Sequence, residues 1–154
     1  MAALAGSVAI SSADSPSVTM VRPDGREVRH VLPITTRAPS RSEYDEAIQA
    51  LALMAPAALR QSLVDQLTQV PMPERLPAIT ALFVDTEGLL WVQASPPGAP
   101  ALDFLIVDQA GAIVARCRVP RGITVFEIGR DYVLGSLIDA SDEVRLVMFG
   151  LRRG

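Results

Sequence analysis

The sequence predicts a mainly β fold of antiparallel sheets with two helices in its middle. Three observations predict this fold. Apolar stretches of strand length occupy both ends of the chain, a short turn motif recurs between such stretches, and residues 40–70 have helical spacing instead. A recurring strand–turn–strand unit is typical of stacked hairpins.

The recurring unit places an aspartate and a glycine three residues apart between two apolar stretches. Its copies are Val84–Val92, Val107–Val114 and, more weakly, Val21–Val28. An aspartate at the first position of a turn, as in Asp85 and Asp108, accepts hydrogen bonds from the backbone two residues on, and glycine suits the fourth position. In the weaker copy Arg22 replaces the aspartate, and Pro23 has the φ that the second position needs. We therefore predict tight hairpins, with Gly88 and Gly111 where positive φ is favourable.

Strands are predicted on both sides of the helical region. Three strands open the chain, at 5–11, 16–22 and 26–32. Seven more follow it, at 78–84, 89–94, 103–108, 112–119, 123–129, 131–138 and 144–151. Four of these lie within 78–119, which is the size of one four-stranded sheet of a repeat architecture.

Residues 40–70 have the pattern of two helices. Ser40 and Glu43 have the spacing of a capping box, and a helical stripe begins at Tyr44. Pro56 ends or kinks the first helix and can open the second, so we predict helices at 42–54 and 56–69. The stripe consists of Tyr44, Ala47, Ile48, Leu51, Leu59, Leu63, Leu67 and Val70. These side chains are expected either to pack against other apolar side chains or to cover the open edge of a sheet.

Composition limits the classes of function. The chain has 154 residues and a net charge of −3, which argues against a nucleic-acid-binding protein. Its length suits one domain that buries about 70% of its unfolded surface. No apolar run reaches about 18 residues, so no membrane span is expected. Cys117 is the single cysteine, which excludes an intramolecular disulfide.

The residues capable of chemistry do not form a recognisable motif. His30 is the only histidine and has no second histidine or cysteine at ligand spacing, so a structural or solvent-facing position is expected. Cys117 shares a strand face with apolar neighbours and is expected to be inert. Arg116, Arg118 and Arg121 could contact an anion. The acidic stretch Asp139, Asp142 and Glu143 is expected to be a solvated hairpin loop, although oxygen-rich loops can bind calcium.

A family resemblance covers residues 78–151. The runs Ala81–Val92 and Phe104–Gly111 resemble blades of six-bladed β-propellers, in particular NHL-like ones, and Phe126–Gly135 resembles the last blade of bacterial members. The resemblance implies one partial propeller unit over 1–154, about two and a half blades in all. It consists of a partial blade at 5–33, a helical insertion at 40–70, a blade at 78–119 and a partial last blade at 123–151. The chain would then be an incomplete, C-terminal portion of a propeller.

The resemblance implies a non-enzymatic binding or scaffolding module whose function belongs to the complete propeller. The alternatives are a fragment of a propeller hydrolase or lyase whose catalytic residues lie outside this chain, and an independent small β-rich domain. We expect no cofactor, and we carry over no catalytic, cofactor-binding or metal-binding residue. The expected partners are the remaining blades, or another protein chain at the open sheet edge near Leu146–Phe149.

Overall fold

The computed structural model describes most of the chain. The described residues are 1–4, 6–12, 15–53, 55–95, 99, 101–138 and 143–152. The chain divides into two compact units. A β unit comprises Met1–Thr35 and Pro77–Gly154, and a helical unit comprises Thr36–Leu76.

The fold is mainly β, as predicted. The strands are β1 Ala2–Leu4, β2 Ser7–Ser11, β3 Ser17–Val21, β4 Glu27–Val31, β5 Ala81–Val84, β6 Leu90–Gln93, β7 Ala101–Val107, β8 Ile113–Pro120, β9 Ile123–Ile128, β10 Tyr132–Ile138 and β11 Val144–Gly150. The helices are α1 Arg41–Leu53 and α2 Arg60–Leu67, the second preceded by a 3₁₀ turn, Ala57–Leu59.

The prediction of three opening strands was wrong, because the described residues of this region form four. The expected strand over 5–11 begins only at Ser7, and Ala2–Leu4 forms a further strand that pairs with it. Gly6 has a φ of 84° and lies between the two. Because Gly6 has a left-handed backbone conformation, the chain reverses there. The apolar stretch at the start of the chain therefore forms a hairpin and not a single strand.

Three antiparallel sheets follow the chain order without crossovers. The first sheet is β1-β2-β3-β4, the second is β5-β6-β7-β8, and the third has three strands in the order β11-β10-β9. The first strands of the sheets lie side by side, β1 next to β5 and β5 next to β9. Each sheet is therefore a simple meander that begins on the same side of the β unit.

The second sheet lies between the other two and packs on both. One apolar cluster joins its face that carries Leu90 and Val92 to Ala9, Val18 and Met20 of the first sheet. A second cluster joins its opposite face, around Trp91 and Phe104, to the third sheet. Since side chains alternate along a strand, both faces of the second sheet are buried. One face of the first sheet and one face of the third lie at the two ends of the stack.

The helical unit confirms the predicted capping box. Glu43 N–H donates to Ser40 Oγ at 3.2 Å, and Ser40 N–H donates to Glu43 Oε2 at 2.8 Å. The hydroxyl of Tyr44 donates to the Leu67 and Val70 carbonyls and so ties α1 to the end of α2. A second polar link joins the other ends of the helices, where Arg60 of α2 donates to the Leu53 carbonyl of α1 at 3.4 Å.

The predicted helical stripe was only partly right. Ile48 and Ala52 are the buried residues of α1, whereas Leu51, Leu59 and Val70 are more than half exposed. The prediction that Leu51 is buried was wrong because the buried face of α1 runs through Ile48 and Ala52, which are four residues apart. The prediction for Leu59 was wrong because a 3₁₀ turn, not an α-helix, contains that residue.

Candidate functional site

The repeated turns have one geometry. Asp85 and Leu89 are joined by a backbone hydrogen bond of 3.0 Å, as are Asp108 and Ala112. Gly88 and Gly111 both donate their N–H to the carbonyl of the aspartate at 3.0 Å, and their φ angles are 79° and 86°. The predicted hairpins are confirmed. The weaker copy closes likewise, from Gly25 N–H to the Arg22 carbonyl.

Asp85 differs from its counterparts in being buried. Its Oδ1 accepts the N–H groups of Glu87 and Leu89 at 3.0 and 2.9 Å, and its Oδ2 accepts Trp91 Nε1–H at 3.0 Å. Asp108 Oδ1 accepts two backbone N–H groups in the same frame, without an indole. Asp85 thus holds its turn and also the largest side chain of the core. In the sequence, the signal available for this hydrogen bond was the position of Trp91, six residues after Asp85.

His30 is a packing residue in this structure. Its ring lies against Gly111, where a Cβ would overlap the imidazole. The first sheet therefore contacts a turn of the second sheet at Gly111. This position requires glycine for two reasons, because its φ is positive and because a side chain would overlap the His30 ring. Sequence reasoning missed this pair because the two residues are far apart in the chain.

Cys117 has the properties of an unreactive thiol. It packs partly buried against the cluster shared by the second and third sheets, as the alternation of β8 predicted. Burial raises the pKa of its thiol, and the Arg118 backbone N–H only partly offsets that effect. A raised pKa lowers the thiolate fraction at neutral pH, which disfavours nucleophilic chemistry.

Two of the three arginines proposed for anion binding are engaged within the chain. Arg118 Nε is 2.7 Å from Asp103 Oδ1, and Arg121 donates to the Ala99 carbonyl at 2.8 Å. Arg116 lines a groove of about 550 Å³ together with the Asp103–Arg118 pair. The groove holds charges of both signs, so it has no strong preference for an anion.

The acidic stretch lies largely outside the described residues, which exclude 139–142. Glu143 is described, and its carboxylate is 3.8 Å from the guanidinium of Arg145. Among the described residues, no three His, Cys, Asp or Glu side chains lie close enough together to hold a metal ion.

The outer strand of the third sheet, β11, leaves one edge of that sheet open, as β4 and β8 do in the other two sheets of the described residues. β11 pairs with β10 over seven residue pairs without a bulge. In the part of the chain that the structure describes, no strand pairs with the other edge of β11. Val147 and Phe149 point into the core cluster, so Val144, Leu146 and Met148 point outward. These three side chains are 69, 75 and 70% exposed.

The outward face of the first sheet, at the other end of the stack, is mixed. Val31 and Ile10 are exposed there at 75 and 44%. Arg29 lies beside them and donates to Ser17 Oγ at 2.9 Å and Ser15 Oγ at 2.8 Å. The exposed large apolar residues of the β unit are thus found mainly on the two ends of the stack.

Comparisons with known proteins did not identify a relative. No protein-family model matches the chain, and neither a curated protein nor a solved structure is significantly similar to it. Among the described residues, no helix is long and apolar enough to cross a membrane.

Proposed function

We propose that this chain is a non-enzymatic protein-interaction module within a β-propeller-like assembly, and that it binds another polypeptide at the open edge of β11. The observation that carries the proposal is this edge, seven residues long, regular and mostly apolar. A regular edge without a neighbouring strand can accept an additional strand.

The stacking of the sheets supports the propeller-like part of the proposal. Propeller blades are antiparallel sheets arranged radially around a channel. The three meanders here have the same strand order, pack face to face, and place β1, β5 and β9 side by side. The first two sheets have four strands each and the third has three. A strand bound along β11 would be the fourth strand of the third sheet.

The side chains along the edge define the partner's chemistry. A strand added beside β11 meets Leu146 and Met148 on one face and Val147 and Phe149 on the other. Arg145 is the single charge within β11. The partner segment is therefore an extended, uncharged stretch with β-branched or apolar residues on both faces.

A strand-addition assay tests this proposal. The probe is a fluorescently labelled short peptide of alternating valine and threonine, with an arginine at each end for solubility. A matched peptide carries N-methyl groups on alternate residues, which removes backbone donors but keeps the side chains. Binding is followed by anisotropy, and its location is mapped by amide hydrogen exchange on the full chain.

We expect the unmodified peptide to bind and to slow amide exchange in Val144–Gly150. The N-methylated peptide should bind at least tenfold more weakly, because it cannot complete the ladder of backbone hydrogen bonds. Equal binding of the two peptides, protection only at another edge such as β8, or no binding of either would refute the proposal.

A further inference from the structure

A cleft of about 300 Å³ lies between the first sheet and the β7–β8 turn of the second sheet. The first sheet and the turn that follows β3 supply most of its wall, and the second sheet supplies one side chain. The lining residues are Ser7, Met20, Arg22, Pro23, Val28, His30 and Gln109. This volume is at the lower end of the range for small-molecule sites.

The register of the first sheet explains why these side chains meet. Met20 lies opposite Val28 in the ladder between β3 and β4, and Met20 is buried against the second sheet. His30 follows Val28 by two residues, and Arg22 follows Met20 by two. Since side chains alternate along a strand, Arg22 and His30 share the face that is turned toward the second sheet.

The four polar side chains of the cleft retain their hydrogen-bonding capacity. Among the described residues, no hydrogen bond or ion pair engages the side chain of Ser7, Arg22, His30 or Gln109. The His30 ring atoms nearest to the position of a Cβ on Gly111 are Nδ1, Cε1 and Cγ, so Nε2 is the nitrogen farther from that turn. A guanidinium, an imidazole, an amide and a hydroxyl are therefore free to contact a ligand.

The charge of the cleft favours an anion. Arg22 is permanently protonated, and no carboxylate lines the cleft. Asp24 and Asp108, in the adjoining turns, each accept backbone N–H groups of their own turn. Glu27 precedes the cleft-lining Val28 by one residue and so projects from the other face of the first sheet. The cleft thus differs from the groove at β7 and β8, where both signs of charge are present.

We propose that this cleft binds the phosphate group of a small phosphate monoester. The guanidinium fork of Arg22 matches two phosphate oxygens. A phosphate group has three terminal acceptor oxygens and can accept from side chains of both sheets at once, whereas a carboxylate has two. Met20, Pro23 and Val28 form an apolar wall for the esterified group. The inference is independent of strand addition, since no residue of β11 lines the cleft.

The single histidine of the chain makes a site-specific test possible. The probe is phenyl phosphate, and the matched compounds are benzoate, which has a planar anionic group, and benzyl alcohol, which is neutral. Each compound is titrated into the full chain at constant pH and ionic strength. Binding is followed by the NMR signal of the His30 Cε1–H group.

Three variants locate the binding. Arg22→Gln removes the charge of the cleft, and Gln109→Ala removes the donor of the second sheet. Arg26→Gln is the matched control, because Arg26 is an exposed arginine of the same turn that does not line the cleft. Circular dichroism verifies that each variant keeps its strands.

We expect a saturable shift with phenyl phosphate, binding of benzoate that is about fivefold weaker, and no saturable shift with benzyl alcohol. Arg22→Gln should weaken phenyl phosphate binding by about tenfold, because it removes two charge-assisted hydrogen bonds. Gln109→Ala should weaken it by about threefold, whereas Arg26→Gln should leave it unchanged.

The absence of a saturable shift with phenyl phosphate would refute the inference, as would equal binding of benzoate. Equal losses in the two arginine variants would indicate general charge attraction and would also refute it. If Arg22→Gln does not fold, Gln109→Ala decides, because unchanged affinity in that variant contradicts a ligand held by both sheets. None of these measurements involves the edge of β11, so failure here leaves the proposed strand addition intact.

Discussion

Replacing Asp85 with alanine is expected to destabilise the β unit far more than the same change at Asp108. Both aspartates begin the same turn and accept two backbone N–H groups. Only Asp85 is buried, and only Asp85 also accepts the indole N–H of Trp91. The internal repeat thus supplies a control with the same local backbone.

The magnitudes follow from the groups that lose a partner. In Asp108→Ala, two turn N–H groups reach water, so the free energy of unfolding falls by about 1–2 kcal/mol. In Asp85→Ala, the buried indole N–H of Trp91 is also left unsatisfied, which costs about 1–3 kcal/mol by itself. We expect a total of about 2–5 kcal/mol for Asp85→Ala.

Urea unfolding monitored by the strand signal in circular dichroism measures both variants. Trp91→Phe removes the indole donor, so the effect of Asp85→Ala should be smaller in that background, by about 1–3 kcal/mol. If Asp85→Ala and Asp108→Ala differ by less than about 0.5 kcal/mol, the indole hydrogen bond contributes nothing to stability. The same conclusion follows if the two changes at Asp85 and Trp91 are additive.

Two further predictions concern the glycine turn and the helix cap. Gly111→Ala should cost about 2–4 kcal/mol, since it adds overlap with His30 to the strain of positive φ. Gly25→Ala, at positive φ but in open space, should cost only about 1 kcal/mol, and His30→Ala should relieve part of the Gly111→Ala loss. Hydrogen bonds from Arg37 and Ser40 lower the pKa of Glu43 from 4.5 to about 2. Because the folded state has the lower pKa, the stabilisation by ionised Glu43 is complete above pH 4.5 and is lost as the pH falls toward 2. The helical circular dichroism signal should therefore decrease between pH 4.5 and 2. Glu43→Gln should flatten this dependence of the helical signal on pH. Equal costs of the two glycine changes, or an unchanged pH profile in Glu43→Gln, would contradict these predictions.

The sequence predicted local structure well wherever neighbouring residues determine it. All seven strands predicted after the helices form, and the turns at Gly88 and Gly111 have the expected bonds. The capping box at Ser40 forms because its partners are three residues apart. The hairpin at Gly6 was missed, since alanine-rich strands have weak β propensity and a lone glycine gives little warning of a turn.

The candidate surfaces were predictable only in part. The apolar character of Leu146–Phe149 and its place near an open edge follow from strand alternation and strand count. Which side chains point outward does not, because either face of an isolated apolar strand could be the buried one. The structure places Val147 and Phe149 inward and leaves Leu146 and Met148 exposed. A substitution meant to probe the surface therefore belongs at Leu146, whereas one at Val147 would disturb the core.

Apart from the hairpin at Gly6, the sequence by itself determined the strands, the turns, the helix cap and the antiparallel class, because these depend on residues within a few positions of each other. Only the tertiary structure decided that Asp85 is buried beneath Trp91 and that His30 lies on Gly111. It also decided that apolar residues remain exposed at both ends of the stack. Each of these depends on which sheet faces which, and such long-range packing is not encoded in the spacing of any one segment.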